Sequence, residues 1–236
     1  MRYRVQVLGW TLIWSGLLIF GYIGWQIFAT DWLNAGVQAE AAADLTETYA
    51  TDSEPVADPV DTEEFLEGAE PPSDLPQLVE YFPEQAPSHG GPFAFLSIPK
   101  IGLDEVVVYE GVDSDTLKNG PGHMDGTPLP GQTGNAVISG HRTTYGRPFF
   151  DFDLLEVGDH VLVETVIGTH TYEIREIEVV LPTDVWVTEP RPGSWLTMTT
   201  CEPKFSARQR LVVFAEMVDG PNLDWIKLNE ARSVGT

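Results

Sequence analysis

The chain has 236 residues and sets 36 acidic against 13 basic side chains, a net charge of −23, with apolar content ordinary for a folded protein. That balance leaves no basic stripe to neutralise phosphates and argues against a nucleic-acid-binding role. A single cysteine, Cys201, rules out an internal disulfide and leaves one thiol to account for.

Residues 1–7 carry Arg2 and Arg4, and no Lys or Arg follows until Lys100. Between them, Leu8 to Phe28 form 21 consecutive uncharged, mostly apolar positions. At the helical rise this stretch spans roughly 31 Å, about one bilayer hydrocarbon core. The pattern predicts a transmembrane helix over 8–28 with its N-terminus in the cytoplasm and the rest of the chain outside. Trp10, Tyr22 and Trp25 lie near its ends, where interfacial anchors would sit. A cleaved signal peptide, trimmed in the alanine-rich stretch from Ala35 to Ala43, is the competing reading, but its apolar region would usually be shorter.

Residues 29–91 read as an acidic, disordered linker. Residues 31–90 hold 15 acidic and no basic side chains, are rich in Ala and Pro, and show no sustained periodicity. The stretch from Leu75 to Phe82 could dock on the domain or form a helical turn, and is read as part of that solvated linker.

From about Pro92 the pattern changes to short apolar or alternating runs punctuated by Gly, Pro, Asp and Asn, which predicts a β-rich domain over 92–220. Candidate strands are Phe93–Ile98, Asp104–Tyr109, Asn135–Ser139, His160–Ile167, Tyr172–Val180, Ser194–Cys201 and Arg210–Val218, with a hairpin turn at Gly168. Seven or so strands in this length suit a closed barrel or a sandwich. Ser114 to Asn119 reads as one helical turn, and Leu223 to Ala231 as a helix within the tail 221–236. No P-loop, dinucleotide fingerprint or cysteine-histidine metal cluster is present in the sequence, so no cofactor or metal is expected. Asp104, Glu105, Asp151 and Asp153 could bind a cation, but read better as solvated loop acids.

Cys201 closes the strand-like run from Trp195, His141 follows the run from Asn135 to Gly140, and Arg210 opens the run to Ala215. A thiol, an imidazole and a guanidinium, each at a strand edge, can make an acyl-transfer site. The cation favours the thiolate, the imidazole shuttles the proton, and the guanidinium with the Glu202 backbone N–H can meet charge building on a carbonyl oxygen. The residues alone leave alternatives open. His123 competes with His141, His89 lies in the linker, and His160 and His170 read as exposed turn or strand-edge positions. Arg208 and Arg210 share a face if both are extended. Cys201 can also be a small buried apolar side chain in a tethered, non-catalytic interaction module, or the nucleophile of a cysteine hydrolase.

Several local runs together resemble the sortases, membrane-anchored cysteine transpeptidases of Gram-positive bacteria. The family's Thr-Leu-x-Thr-Cys pattern is matched by Thr197-Met198-Thr199-Thr200-Cys201, with Met198 in place of Leu. Further matches are Arg210-Leu211-Val212-Val213, Ser139-Gly140-His141-Arg142, Gly120-Pro121-Gly122-His123 and Gly126-Thr127-Pro128-Leu129-Pro130-Gly131. The runs from Cys201 to Arg210 and from His141 to Gly146 are most similar to class E, with class D next. The resemblance covers roughly 92–218 and implies a closed eight-stranded barrel with His141, Cys201 and Arg210 as the catalytic residues and His123 as structural. It also implies cleavage of a C-terminal Leu-Pro-x-Thr-Gly or Leu-Ala-x-Thr-Gly sorting signal between Thr and Gly. The partners implied are secreted proteins bearing that signal and a lipid-linked peptidoglycan precursor amine.

Overall fold

Strand-length alternation from Pro92 onward gives eight strands that close into one barrel. The computed structural model describes residues 2–25, 30–52 and 81–234. The strands are β1 (Pro92–Ile98), β2 (Leu103–Glu110), β3 (Gly122–His123), β4 (Gly134–Ser139), β5 (His160–Thr165), β6 (Gly168–Val180), β7 (Ser194–Glu202) and β8 (Gln209–Asp219). Their order around the barrel is β1-β2-β3-β4-β7-β8-β6-β5, with β5 pairing back onto β1. The inward positions alternate as the pleat requires: Leu96 and Ile98, Ala136 and Ile138, Leu196 and Met198, and Leu211, Val213 and Ala215 all belong to one buried core. Burying each Val, Leu, Ile or Met among them contributes roughly 1.5–3 kcal/mol.

Two details of register place the site. Strands β4 and β7 run parallel, with Asn135 opposite Trp195 and Ser139 opposite Thr199. Strand β8 runs antiparallel to β7, with Cys201 opposite Arg210. The C-terminal ends of β4 and β7 and the N-terminal end of β8 therefore meet at one rim.

The strand boundaries differ from expectation at β3, a two-residue strand with too little periodicity to read, and at β6, which begins at Gly168 rather than Tyr172. Two histidines sit elsewhere than expected: His89 is not in solvated linker but lies 2.8 Å from Asp113 and 3.3 Å from Asp125, and His170 is not at an exposed edge. His170 lies on the same face of β6 as Tyr172 and Ile174 and is fully buried. Its ring occupies the space that side chains at Gly131 and Gly220 would need, and burial lowers its pKa to about 4.

The helices are α1 (Arg2–Gly24), α2 (Thr30–Asp52) and α3 (Leu223–Val234). Gln6–Gly24 of α1 is long and apolar enough to cross a membrane and is unburied. The end of the expected span, residues 26–28, lies outside the described residues.

The expectation of a disordered linker over 29–91 is corrected at both ends. Residues 30–52 form α2, which lies on β1 and β2 through Ala41, Leu45 and Tyr49. Tyr49 meets Phe95 edge-on at 5.9 Å and donates to the Phe93 carbonyl at 2.7 Å. Gln38 meets Val107, on a part of β2 beyond the reach of β3. Its Oε1 accepts from the Val107 amide at 2.8 Å, and its Nε2 donates to the carbonyls of Val107 and Asn119. A side-chain amide thus stands in for the missing strand partner of an open edge. At the other end Tyr81 and Phe82, also expected in solvated linker, are docked. Tyr81 stacks on Trp225 of α3 with ring centroids 4.3 Å apart, and Asn222 bonds both the amide and the carbonyl of Phe82. Residues 53–80, including most of the 75–82 stretch, lie outside the described residues.

Candidate active site

The rim is stitched together at the polar ends of β4 and β7. Ser139 and Thr199 hydroxyls lie 2.8 Å apart, the Gly140 amide donates to the Thr199 carbonyl at 3.0 Å, and the Thr200 hydroxyl donates to the Gly140 carbonyl at 2.8 Å. Gly140 has no room for a side chain, because a Cβ there would come within 2.5 Å of the Phe149 ring. These contacts carry the parallel register two residues further, so that His141 emerges beside Cys201.

Both line one cleft of about 390 Å³, together with Arg142, Thr143, Thr144, Phe205, Ser206 and Ala207. Leu196 and Met198 point into the barrel core, so alternation puts Thr197, Thr199 and Cys201 on its outer face. The thiol is therefore half-exposed at the rim and not a core filler. Burial lowers the pKa of His141, which favours the neutral imidazole. The Tyr145 ring lies over it, with centroids 5.1 Å apart and planes inclined by 37°.

Arg210 sits on the neighbouring strand directly opposite Cys201, so the two side chains project from the same face. Its Nη1 donates to the carbonyls of Ala207 at 3.1 Å and Gln209 at 3.0 Å, and it makes no ion pair among the described residues. Its competitor Arg208 is exposed and two residues further along the connection. The structure thus brings together His141, Cys201 and Arg210, the three residues expected from the sequence. His123 stands apart, fully buried, with Nδ1 2.7 Å from the Glu110 carboxylate and Nε2 2.9 Å from the Pro128 carbonyl and from the Thr127 hydroxyl. Its ring is committed to holding β2, β3 and the following turn.

Arg142, the residue after His141 in the motif, has a role that only the structure shows. It is 2% exposed, and its guanidinium spends its donors on four oxygens. Nε donates to the Phe150 carbonyl, Nη1 to the carbonyl of Cys201 at 3.2 Å and to the Glu202 carboxylate at 2.9 Å, and Nη2 to Asp153 at 2.9 Å. The residue after the histidine therefore grips the backbone of the nucleophile. The signal was an arginine abutting the histidine with acids at Asp153 and Glu202, but sequence distance hid which acids it would meet. Asp151 and Asp153 also face Lys204, at 3.6 Å and 2.9 Å. Among the described residues no group of three or more His, Cys, Asp or Glu side chains is placed to hold a metal ion.

Comparison with known proteins gives a consistent result. The model of the sortase domain family matches residues 96–218. Sortase SrtE1 of Streptomyces coelicolor is 37% identical over 147 residues, which are 55% of this chain and 41% of that protein. Sortase D of Bacillus subtilis is 34% identical over 137 residues, 56% of this chain and 67% of that one. Among solved structures, a Clostridium perfringens Sortase D5 transpeptidase superposes with a TM-score of 0.59 at 26% identity, covering 78% of this chain and 99% of its own. The match to SrtE1 thus spans less than half of that relative's length.

Proposed function

The chain belongs to the sortase family, whose members are cysteine transpeptidases, and from that premise we propose that it sorts secreted proteins to the cell wall from the outer face of the membrane. The observation that carries the reading is the rim itself, where three strand ends bring an imidazole and a half-exposed thiol to one cleft with a guanidinium opposite the thiol.

In the proposed reaction, neutral His141 takes the proton of Cys201, and the thiolate attacks the Thr carbonyl carbon of a Leu-Ala-x-Thr-Gly or Leu-Pro-x-Thr-Gly signal. Charge on the carbonyl oxygen is met by Arg210 and the backbone N–H of Glu202. Collapse of the intermediate breaks the Thr–Gly bond, and the imidazolium returns its proton to the departing glycine amine. The acyl group then rests on Cys201 as a thioester. An amine of a peptidoglycan precursor enters, gives a proton to His141 and displaces the thiolate, which is reprotonated. Similarity to both a class E and a class D relative leaves both signals in play, with the Ala form favoured by the higher identity to SrtE1.

The proposed topology puts α1 through the bilayer with Arg2 and Arg4 inside. Trp25 and Trp32, both exposed, flank the span's outer end at positions suited to the headgroup region. The barrel then faces substrates as they leave the membrane.

The test is a transfer assay with the full chain in detergent micelles, either signal peptide and an amine acceptor. Amine-linked product is expected from the wild type, none from Cys201→Ala, and a loss of about 100-fold or more from Arg210→Ala. Release of the shortened peptide without amine capture would replace transfer by hydrolysis. Full activity in Cys201→Ala would end the cysteine mechanism.

A further inference from the structure

The loop that follows His141 is held in an unfavourable backbone conformation. Tyr145, Gly146 and Arg147 all have positive φ, at +52°, +76° and +49°. Two of the three carry side chains, and a left-handed residue with a Cβ costs free energy that something nearby must offset. The neighbour is the first turn and a half of α2. Asp31 Oδ1 accepts from the Gly146 amide at 3.0 Å, and Asp31 Oδ2 lies 3.0 Å from Arg147 Nε. One turn on, Asn34 donates from Nδ2 to the carbonyls of Lys118 and Asn119, both at 2.8 Å. Its Oδ1 packs so closely on Gly146 that a Cβ there would come within 2.2 Å. The turn therefore has no room for anything but glycine at its centre, and α2 occupies the space.

The first residue of the pinned turn is Tyr145, whose ring lies over His141. We propose that α2 is a positioning element for the histidine: through Asp31 and Asn34 it pins the left-handed 145–147 turn and thereby sets Tyr145 against the His141 imidazole. The inference rests on the reading of His141 as the proton-transfer residue. It assigns a role to a helix outside residues 96–218, the part matched to the family domain. Asp31 and Asn34 touch no reacting atom; they act through the turn, and Tyr145 acts on the orientation of the ring beneath it. A misplacement of the imidazole by an ångström is enough to slow acylation strongly.

The test uses the full chain in detergent micelles with isotope-labelled histidine, the His141 ring signals being assigned by their loss in His141→Gln. In Asp31→Ala and in Tyr145→Ala the His141 signals are expected to move from their wild-type positions while those of His123 and His170 stay. Single-turnover acylation by a signal peptide is expected to fall about 10-fold in each variant. The double variant should be no slower than Tyr145→Ala, since the two changes remove one interaction. Tyr49→Phe, which loosens α2 on β1 far from the turn, should leave the His141 signals in place.

An Asp31→Ala protein with wild-type His141 signals would overturn the proposal, as would losses that multiply in the double variant. The same holds if Tyr49→Phe moves His141 as far as Asp31→Ala does, for α2 would then act by general packing. Wild-type protein that forms no acyl-enzyme with either peptide would count against the enzymatic reading instead, and the spectra would still decide whether the brace exists.

Discussion

Arg142 carries the heaviest structural duty of any single side chain at the rim. Nearly all of its donors are used, and its removal would leave the Cys201 and Phe150 carbonyls and the Glu202 carboxylate short of a partner. Because Asp153 is about half exposed and Glu202 a quarter exposed, water recovers part of that loss. Arg142→Ala is expected to cost about 3 kcal/mol or less of stability and to slow acylation by loosening the nucleophile's backbone. Arg142→Lys keeps the charge but not the planar fork, and should fall between the two in both thermal unfolding and acylation rate. The three candidate residues of the proposed mechanism stood out in the sequence because each sits where an apolar run ends, and the order His, Cys, Arg matched a known pattern. Arg142 did not, since its role is defined by acids 11 and 60 residues away. His170 was misread for a related reason. A polar residue next to a predicted turn looks exposed until the inward alternation of β6 is known.

Among the elements, the parallel pair β4 and β7 does the positioning, and Gly140 is its tightest point. Gly140→Ala would force a methyl group into the Phe149 ring. Overpacking of this kind typically costs about 1–3 kcal/mol, and here it would push the chain bearing His141 away from Cys201. Lowered thermal stability and an acylation rate reduced more than Cys201 alkylation is the expected signature. Most of the strands were readable from alternation, because one face of each is core. The helix α2 is hard to read because high charge and alanine content also mark disorder. The same composition is strongly helix-forming, and its buried stripe is thin: Asn34, Gln38, Ala41, Leu45 and Tyr49 recur at spacings of three and four. Two of those five are polar, since they serve backbone groups of the barrel, and an apolar count passes over them.

At the scale of the whole molecule, a half-buried carboxyl group and a buried imidazole tilt stability in opposite directions with pH. Glu84 lies between α2, β1 and the β5–β6 turn with Oε2 enclosed and unpartnered among the described residues, and burial raises its pKa from 4.5 to about 7. Between those values the folded chain holds a proton that the unfolded chain has lost, so this contribution to stability declines as pH rises from about 4.5 to about 7. For His170, buried neutral with a pKa of about 4, the unfolded chain binds the proton first, so its contribution declines as pH falls from about 6.5 to about 4. The Glu84→Gln variant should therefore gain on the wild type as pH rises through the first window, by at most about 3 kcal/mol. Chemical denaturation at pH 4.5, 6 and 7.5 measures it, and a difference independent of pH would show that Glu84 is ionised in the fold.

The measurement that bears most directly on the account is the mass of the enzyme itself during turnover. The full chain is mixed with a Leu-Ala-x-Thr-Gly peptide, quenched in acid within seconds and digested, and the adduct is located by fragment mass. The expected result is the peptide truncated after its Thr, carried as a hydroxylamine-labile thioester on Cys201, absent from Cys201→Ala and strongly diminished in His141→Ala. An adduct on any other residue, or cleavage of the peptide that proceeds unchanged in Cys201→Ala, would contradict it.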